Sequence, residues 1–157
     1  MKQFVPTIGL EIHTELKTRT KMFCGCLNDP DEKEPNKNIC PICLAHPGAL
    51  PTPNRRAIEG VLRVGAALGG ELAKRAHFDR KSYFYPDLPK GFQISQYEEP
   101  LVMGGELLGV QIRRIHLEED TGRLLHPEGE KNVSLVDYNR AGVPLMEFVT
   151  EPSIKSG

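Results

Sequence analysis

Between Cys24 and Pro53 the chain carries Pro30, Pro35, Pro41, Pro47, Pro51 and Pro53, a spacing that leaves no room for a long helix or a central strand. Each proline removes a backbone donor and fixes φ, so this segment cannot order itself through a hydrogen-bonded ladder. Two cysteine pairs bracket its first part: Cys24-x-Cys26 and Cys40-x2-Cys43, separated by the polar loop 27–39. Two tight thiolate pairs can close on one tetrahedral cation with the loop left outside, and zinc is the natural occupant. Metal closure would then supply order that side-chain burial cannot. Four thiolates leave no open coordination position, which makes the expected role structural. Reduced thiols without a metal are the alternative, and His46 is a further imidazole that could replace one cysteine.

Outside this segment the helical signal is confined to one window. Thr52 can cap, Pro53 fits a first helical position, Ala57, Ile58, Val61, Leu62, Gly65 and Leu68 make one apolar stripe, and Gly69-Gly70 can stop the run. The spacing predicts a core-packing helix over 53–68. The remaining apolar residues alternate or sit in short runs between turn residues. Strands are expected over 4–16, over 106–117 after Gly104-Gly105, over 132–138, and, after a turn, at the apolar end of the tail 139–149. Short strands joined by proline turns are expected within 78–100. One helix among many strands predicts an α+β domain with a mostly antiparallel sheet.

Alternation within Gly9–Leu16 puts Leu10, Ile12, Thr14 and Leu16 on one face of a strand and Glu11, His13 and Glu15 on the other. Those three side chains would be spaced about 7 Å apart along the strand, a geometry suited to a hard cation. A second cluster, His116-x-Glu118-Glu119-Asp120, could complete such a site if its strand lies nearby. The plain alternative is the wet face of an antiparallel sheet. Arg80, Lys81 and Lys90 stand beside aromatics in turns, where cations can hold phosphates; a solvated charged turn is the competing reading. No Walker loop, dinucleotide fingerprint or Ser/His/Asp order is present, so a nucleotide site here would be of another kind.

At 157 residues, with 39% apolar and 26% charged residues, the chain can form one globular domain. A net charge of −1 provides no global attraction to nucleic acid or membrane. No apolar run approaches the ~20 residues of a spanning helix, and Met1–Phe4 does not open a signal peptide. A cytoplasmic protein is expected, since close cysteine pairs suit a metal site better than secreted disulfides.

Five ordered stretches make the chain recognisable. They are Val5-x2-Ile8-Gly9-Leu10-Glu11-Ile12-His13-x-Glu15-Leu16, Phe78-Asp79-Arg80-Lys81-x-Tyr83-Phe84-Tyr85-Pro86-Asp87, Gln93-Ile94-Ser95-Gln96, His116-Leu117-Glu118-Glu119-Asp120 and Val136-Asp137-x-Asn139-Arg140. Together they resemble the B-subunit family of the tRNA-dependent aspartyl/glutamyl amidotransferases, over essentially the whole chain. The resemblance implies a catalytic cradle related to glutamine synthetase. Such a cradle uses ATP and Mg²⁺ to phosphorylate the side-chain carboxylate of Glu-tRNA(Gln) or Asp-tRNA(Asn), and ammonia then displaces phosphate. It also implies a heterotrimer, with an A subunit that releases ammonia from glutamine and a small C subunit.

Carried over by position, Glu11, His13 and Glu119 match metal ligands, and Glu118 lies near the catalytic metal or γ-phosphate. Arg80 and Lys81 fall in a motif close to the active site, and Lys81 and Lys90 are taken as nucleotide contacts. The four cysteines match a zinc site present in some members. The chain is shorter than the family's members, so residues 1–157 are expected to be the amino-terminal part of the cradle. The tRNA-binding domains would then be absent, and the isolated piece inactive. Two rival readings remain: a ligase that amidates a free acid, and a non-catalytic zinc-stabilised RNA-binding or assembly module.

Overall fold

The computed structural model describes residues 4–129 and 132–157; Met1–Gln3, part of the stretch read as not opening a signal peptide, lie outside the described residues. Its elements run β1 (Glu11–Glu15), α1 (Arg55–Ala67), β2 (Glu71–Leu72), β3 (Asp79–Ser82), β4 (Phe92–Ser95), β5 (Val102–Met103), β6 (Glu106–Leu107), β7 (Val110–Glu119), β8 (Arg123–Leu125), β9 (Leu135–Asp137) and β10 (Pro144–Thr150). The main sheet has the order β1-β10-β7-β5-β2, with β6 folding back on β7, and every pairing is antiparallel. The expected α+β class is observed. No described helix is long and apolar enough to cross a membrane.

Strand alternation divides this sheet into two chemically distinct faces. Met146 lies opposite Leu117 and Phe148 opposite Ile115, and this apolar side packs under α1, whose Ala57, Val61 and Gly65 are buried. On the other side the rows read His13, Glu147, His116 and Glu15, Leu145, Glu118 across β1, β10 and β7. The helix therefore anchors one face and leaves the other for chemistry.

The cap of α1 differs from expectation. Asn54, not Thr52, is the N-cap: its side chain accepts from Arg56 N at 2.9 Å and Ala57 N at 3.4 Å. Its amide also donates to Thr20 O at 2.9 Å, which ties the helix start to the cysteine segment. Thr52 is used otherwise, its backbone N bonding Phe23 O at 3.0 Å. Asn can both cap and cross-link, which a threonine hydroxyl at 52 could not do from outside the first turn.

At Gly65 the helix crosses β5 so closely that an added Cβ would collide with Val102 Cγ2 and stand 2.8 Å from Cγ1. Val102 is fully buried and cannot swing away. Overpacking costs about 1–3 kcal/mol, while alanine in a helix returns about 1 kcal/mol over glycine. Gly65→Ala should lower the urea midpoint by the equivalent of about 1 kcal/mol without altering the slope. A raised midpoint would show that this contact is not tight.

Three strand boundaries moved. The expected strand over 4–16 is regular only at 11–15. That over 132–138 shortens to β9 and pairs with β8 apart from the main sheet. That over 106–117 is split because Leu108 (φ 50°) and Gly109 (φ 83°) make a tight hairpin turn.

The β3–β4 hairpin, formed within 78–100, joins β7 by side chains where β5 no longer pairs with it. Gln96 Oε1 accepts from Leu117 N at 3.1 Å, Gln93 Nε2 donates to Glu119 O at 2.8 Å, and Ile94 N donates to Glu119 Oε1 at 2.9 Å. These bonds hang the hairpin beside the polar face.

Candidate functional site

Two imidazoles and two carboxylates meet on that face. β1 supplies His13, β7 supplies His116 and Glu118, and β10, lying between them, supplies Glu147. His13 Nε2 stands 3.0 Å from Glu118 Oε1 and 3.4 Å from Glu147 Oε2. His116 Nε2 stands 3.1 Å from Glu147 Oε2 and 3.8 Å from Glu118 Oε2. Ser95 Oγ donates to Glu118 Oε2 at 3.0 Å, fixing that carboxylate from the hairpin side. Glu118, Glu147 and His116 are buried; His13 is half exposed.

Buried carboxylates need compensation. Burial alone would push Glu147 up, but the hydrogen bond and charge of His116, with His13 and Lys81 further off, outweigh it and hold the group at about 2. Burial likewise disfavours a charged His116, yet its hydrogen bonds to Glu118 and Glu147 raise its pKa. One donor atom from each of His13, Glu118 and Glu147 falls within 4.8 Å of the others, so the three can share one cation. Two carboxylates and an imidazole form an oxygen-rich set that a hard divalent ion accepts.

Glu119 does not join this set. As the next residue along β7 it faces the opposite side, where Lys90 Nζ lies 2.6 Å from Oε1 and Ile94 N donates to the same oxygen. Burial raises its pKa, with Lys90 opposing. Lys90 is thus committed to a carboxylate within the fold, which is why it does not reach the cluster as a free cation. Asp120 pairs with Arg140 at 3.4 Å.

Two cavities flank the cluster. One of about 490 Å³ is lined by Glu11, Arg80, Lys81, Tyr97, Arg114 and Glu147, among others; one of about 390 Å³ by His13, Glu15, Lys81, Tyr83, Glu118 and Asp120, among others. Lys81 borders both. Arg80 and Lys81 stand on β3 itself, not in a turn, and Arg80 lies over the Phe92 ring at 4.8 Å. Glu11 is in the larger cavity, outside the three-donor group.

The cysteines converge as their spacing required. Cys43 Sγ lies 3.9 Å from Cys26 Sγ and 3.7 Å from Cys40 Sγ, and all four sulfurs are within 4.8 Å of one another. Metal–sulfur bonds of ~2.3 Å in a tetrahedron give edges of ~3.8 Å, so these thiols can hold a metal ion with little movement. His46 is not among the clustered donors. Cys43 is held at about 5 by the hydrogen bond from Cys24 and, against burial, by the charge of Lys21. Burial and the hydrogen bond with Cys40 push Cys26 up to about 12.

Sequence reasoning missed Glu147 because it sits in the apolar run Leu145–Val149. A single carboxylate inside a central apolar strand is itself a signal, since such a charge is buried only with partners. Arg114 and Tyr97 carried no comparable signal, and Ser95 only its place in the stretch Gln93–Gln96.

The model of the GatB/GatE catalytic domain matches residues 6–157. The chain belongs to that family. Among GatB/GatE relatives, the B subunit of the aspartyl/glutamyl-tRNA(Asn/Gln) amidotransferase of Thermus thermophilus is 60% identical over 153 residues, covering 95% of this chain and 32% of its own length. The B subunits of the same name from Haloquadratum walsbyi (50% over 166 residues; 99% of this chain, 34% of theirs) and Mycobacterium tuberculosis (49% over 170 residues; 99% and 33%) are also similar. The chain spans about a third of the length of these GatB relatives.

Proposed function

We propose that this domain is the amino-terminal part of the catalytic cradle of an amidotransferase of this family, related to that of glutamine synthetase. In this reading it phosphorylates the side-chain carboxylate of Glu-tRNA(Gln) or Asp-tRNA(Asn) with ATP. The acyl phosphate is then amidated by ammonia from an A subunit, in a cytoplasmic heterotrimer completed by a C subunit. The observation that carries the reading is the His13–Glu118–Glu147 cluster between two cavities, with Lys81 lining both and Arg80 the larger. A carboxylate is a poor electrophile, and phosphorylation gives it a good leaving group.

His13, Glu118 and Glu147 would hold Mg²⁺, with Glu11 beside them. When bound, Mg²⁺ offsets charge on the nucleotide phosphates. Arg80 and Lys81 would hold the phosphates, and Lys81, bordering both cavities, would stand between nucleotide and acceptor. The four cysteines would hold a structural Zn²⁺. The tRNA body would be held by parts of the full-length protein outside this domain.

The test is an incubation of the intact protein, assembled with its A and C subunits, with γ-labelled ATP and glutamyl-tRNA, glutamine withheld. Label is expected on the tRNA-borne glutamate as an acyl phosphate. Label on free glutamate without tRNA would favour a free-acid ligase. Absence of label from glutamyl- and aspartyl-tRNA alike would favour a non-catalytic assembly module.

A further inference from the structure

Two consecutive arginines on β7 have opposite fates. Arg113 is neutralised in solvent by Glu151, with Nε–Oε1 2.9 Å and Nη2–Oε2 2.7 Å. Arg114 lies on the cluster's face of the sheet, opposite Val149 and one strand beyond from Glu11, and lines the larger cavity. Its guanidinium stacks on the Tyr97 ring at 5.0 Å. Its Nε is buried with no hydrogen-bond partner, and no described carboxylate pairs with it. Nor does a described carboxylate pair with Arg80 or Lys81, which line the same cavity.

An aromatic platform holds a guanidinium flat and partly dehydrated, so that its donor fork is set before a ligand arrives. Leaving a stacked arginine without a carboxylate partner wastes that geometry unless an anion comes from outside. Glu11, Asp79, Glu98 and Glu147 line this cavity as well, but Asp79 is bonded to His77 and Tyr97 N, and Glu147 to His116 and His13. Three cations with no described carboxylate at bonding distance, and a divalent ion expected on the cluster side, suit a ligand of several negative charges. A lone carboxylate carries one, and a glutamyl or aspartyl ester, whose ammonium offsets its side-chain carboxylate, nets none. A polyphosphate carries enough, and a cavity of about 490 Å³ is of ligand size.

We propose that Arg114, set by Tyr97, is the anchor for the phosphate chain of the nucleotide. This rests on the phosphoryl-transfer reading above and adds a binding residue to it. Arg80 and Lys81 approach the chain from β3, Arg114 from β7, so the phosphates lie between the hairpin and the sheet.

The experiment is equilibrium binding of Mg-ATP to the intact assembled protein, with inorganic tripolyphosphate as competitor. Wild type should bind ATP and be displaced by tripolyphosphate. Arg114→Gln should weaken both by roughly tenfold or more. Arg114→Lys should recover little, because a point charge lacks the planar fork. Tyr97→Phe, which keeps the ring, should bind as wild type, whereas Tyr97→Ala should weaken binding. Arg113→Gln, one residue away, should change nothing, and thermal melts confirm that each variant is folded. ATP affinity of a folded Arg114→Gln or Tyr97→Ala protein within about twofold of wild type, less than the loss of one charge-assisted bond, would overturn the anchor while leaving phosphoryl transfer intact. A wild-type assembly that binds no ATP would overturn both.

Discussion

Glu147→Gln in the assembled protein is expected to cut label transfer from ATP to glutamyl-tRNA by about 10²–10³-fold, the scale lost with one preorganised electrostatic contact at a reacting centre. The amide keeps the side chain's shape and removes its charge. His116 then loses one of the two carboxylates that raise its pKa, and the three-donor group keeps a single carboxylate, Glu118. Association with the A subunit should persist, because Glu147 is buried on β10, paired on both sides by β1 and β7, and not on an edge strand.

The same variant has a signature in the metal-free protein. Glu147 is held at about 2, below its ordinary 4.5, so its stabilising contribution is present above 4.5 and lost as pH falls towards 2. Wild type should lose stability across that window in acid melts, and Glu147→Gln should lack that share of the loss. Wild-type label transfer by the variant would remove Glu147 from the reaction; an unchanged acid profile would mean that the carboxylate is not held by the imidazoles.

Stripping metal from the cysteine cluster, or replacing Cys43 by Ser, is expected to lower the melting temperature by more than about 10 °C. Structural zinc in small domains contributes about 10–16 kcal/mol of apparent binding energy, comparable with a whole domain's stability. The loop it closes has little else: 27–39 leaves few apolar side chains in the core, and its order depends on contacts with 136–139. Asn36 N donates to Asp137 Oδ1 at 3.0 Å, Asn38 N to Asn139 Oδ1 at 2.9 Å, and Asn139 Nδ2 to Glu34 O at 2.8 Å. The buried Lys21 adds bonds to Asn38 O and Tyr138 O at 2.7 and 3.0 Å. Since 136–139 leads into β10, loosening the loop should also raise amide exchange around Tyr138–Val143. Metal analysis should return one zinc per chain in the native protein, and a chelated protein that melts unchanged would refute a structural metal.

The cysteine cluster was legible because four thiols at short spacings admit few arrangements. The helix was legible because its stripe and terminal glycines agree, and only its cap was misplaced, since Asn54's second duty to Thr20 is a tertiary contact. The metal-capable face was half legible. Alternation correctly put Glu11, His13 and Glu15 together, but it speaks for one strand at a time. That β10 would lie between β1 and β7, bringing Glu147 rather than Glu119 to His13, depends on strand order, which pairing chemistry does not encode locally. Glu118 and Glu119 look equivalent in sequence; their neighbours, Ser95 on one side and Lys90 on the other, separate them.

The junction between the β3–β4 hairpin and β7 has a consequence for solubility. Where β5 ends, β7 would present bare amides and carbonyls to any passing extended chain. Gln96 occupies the Leu117 amide and Gln93 the Glu119 carbonyl. Side-chain amides satisfy the strand's backbone without offering a new ladder on their far side, so the edge is sealed against strand-to-strand aggregation. Two glutamines thus end the sheet where another strand would have extended it.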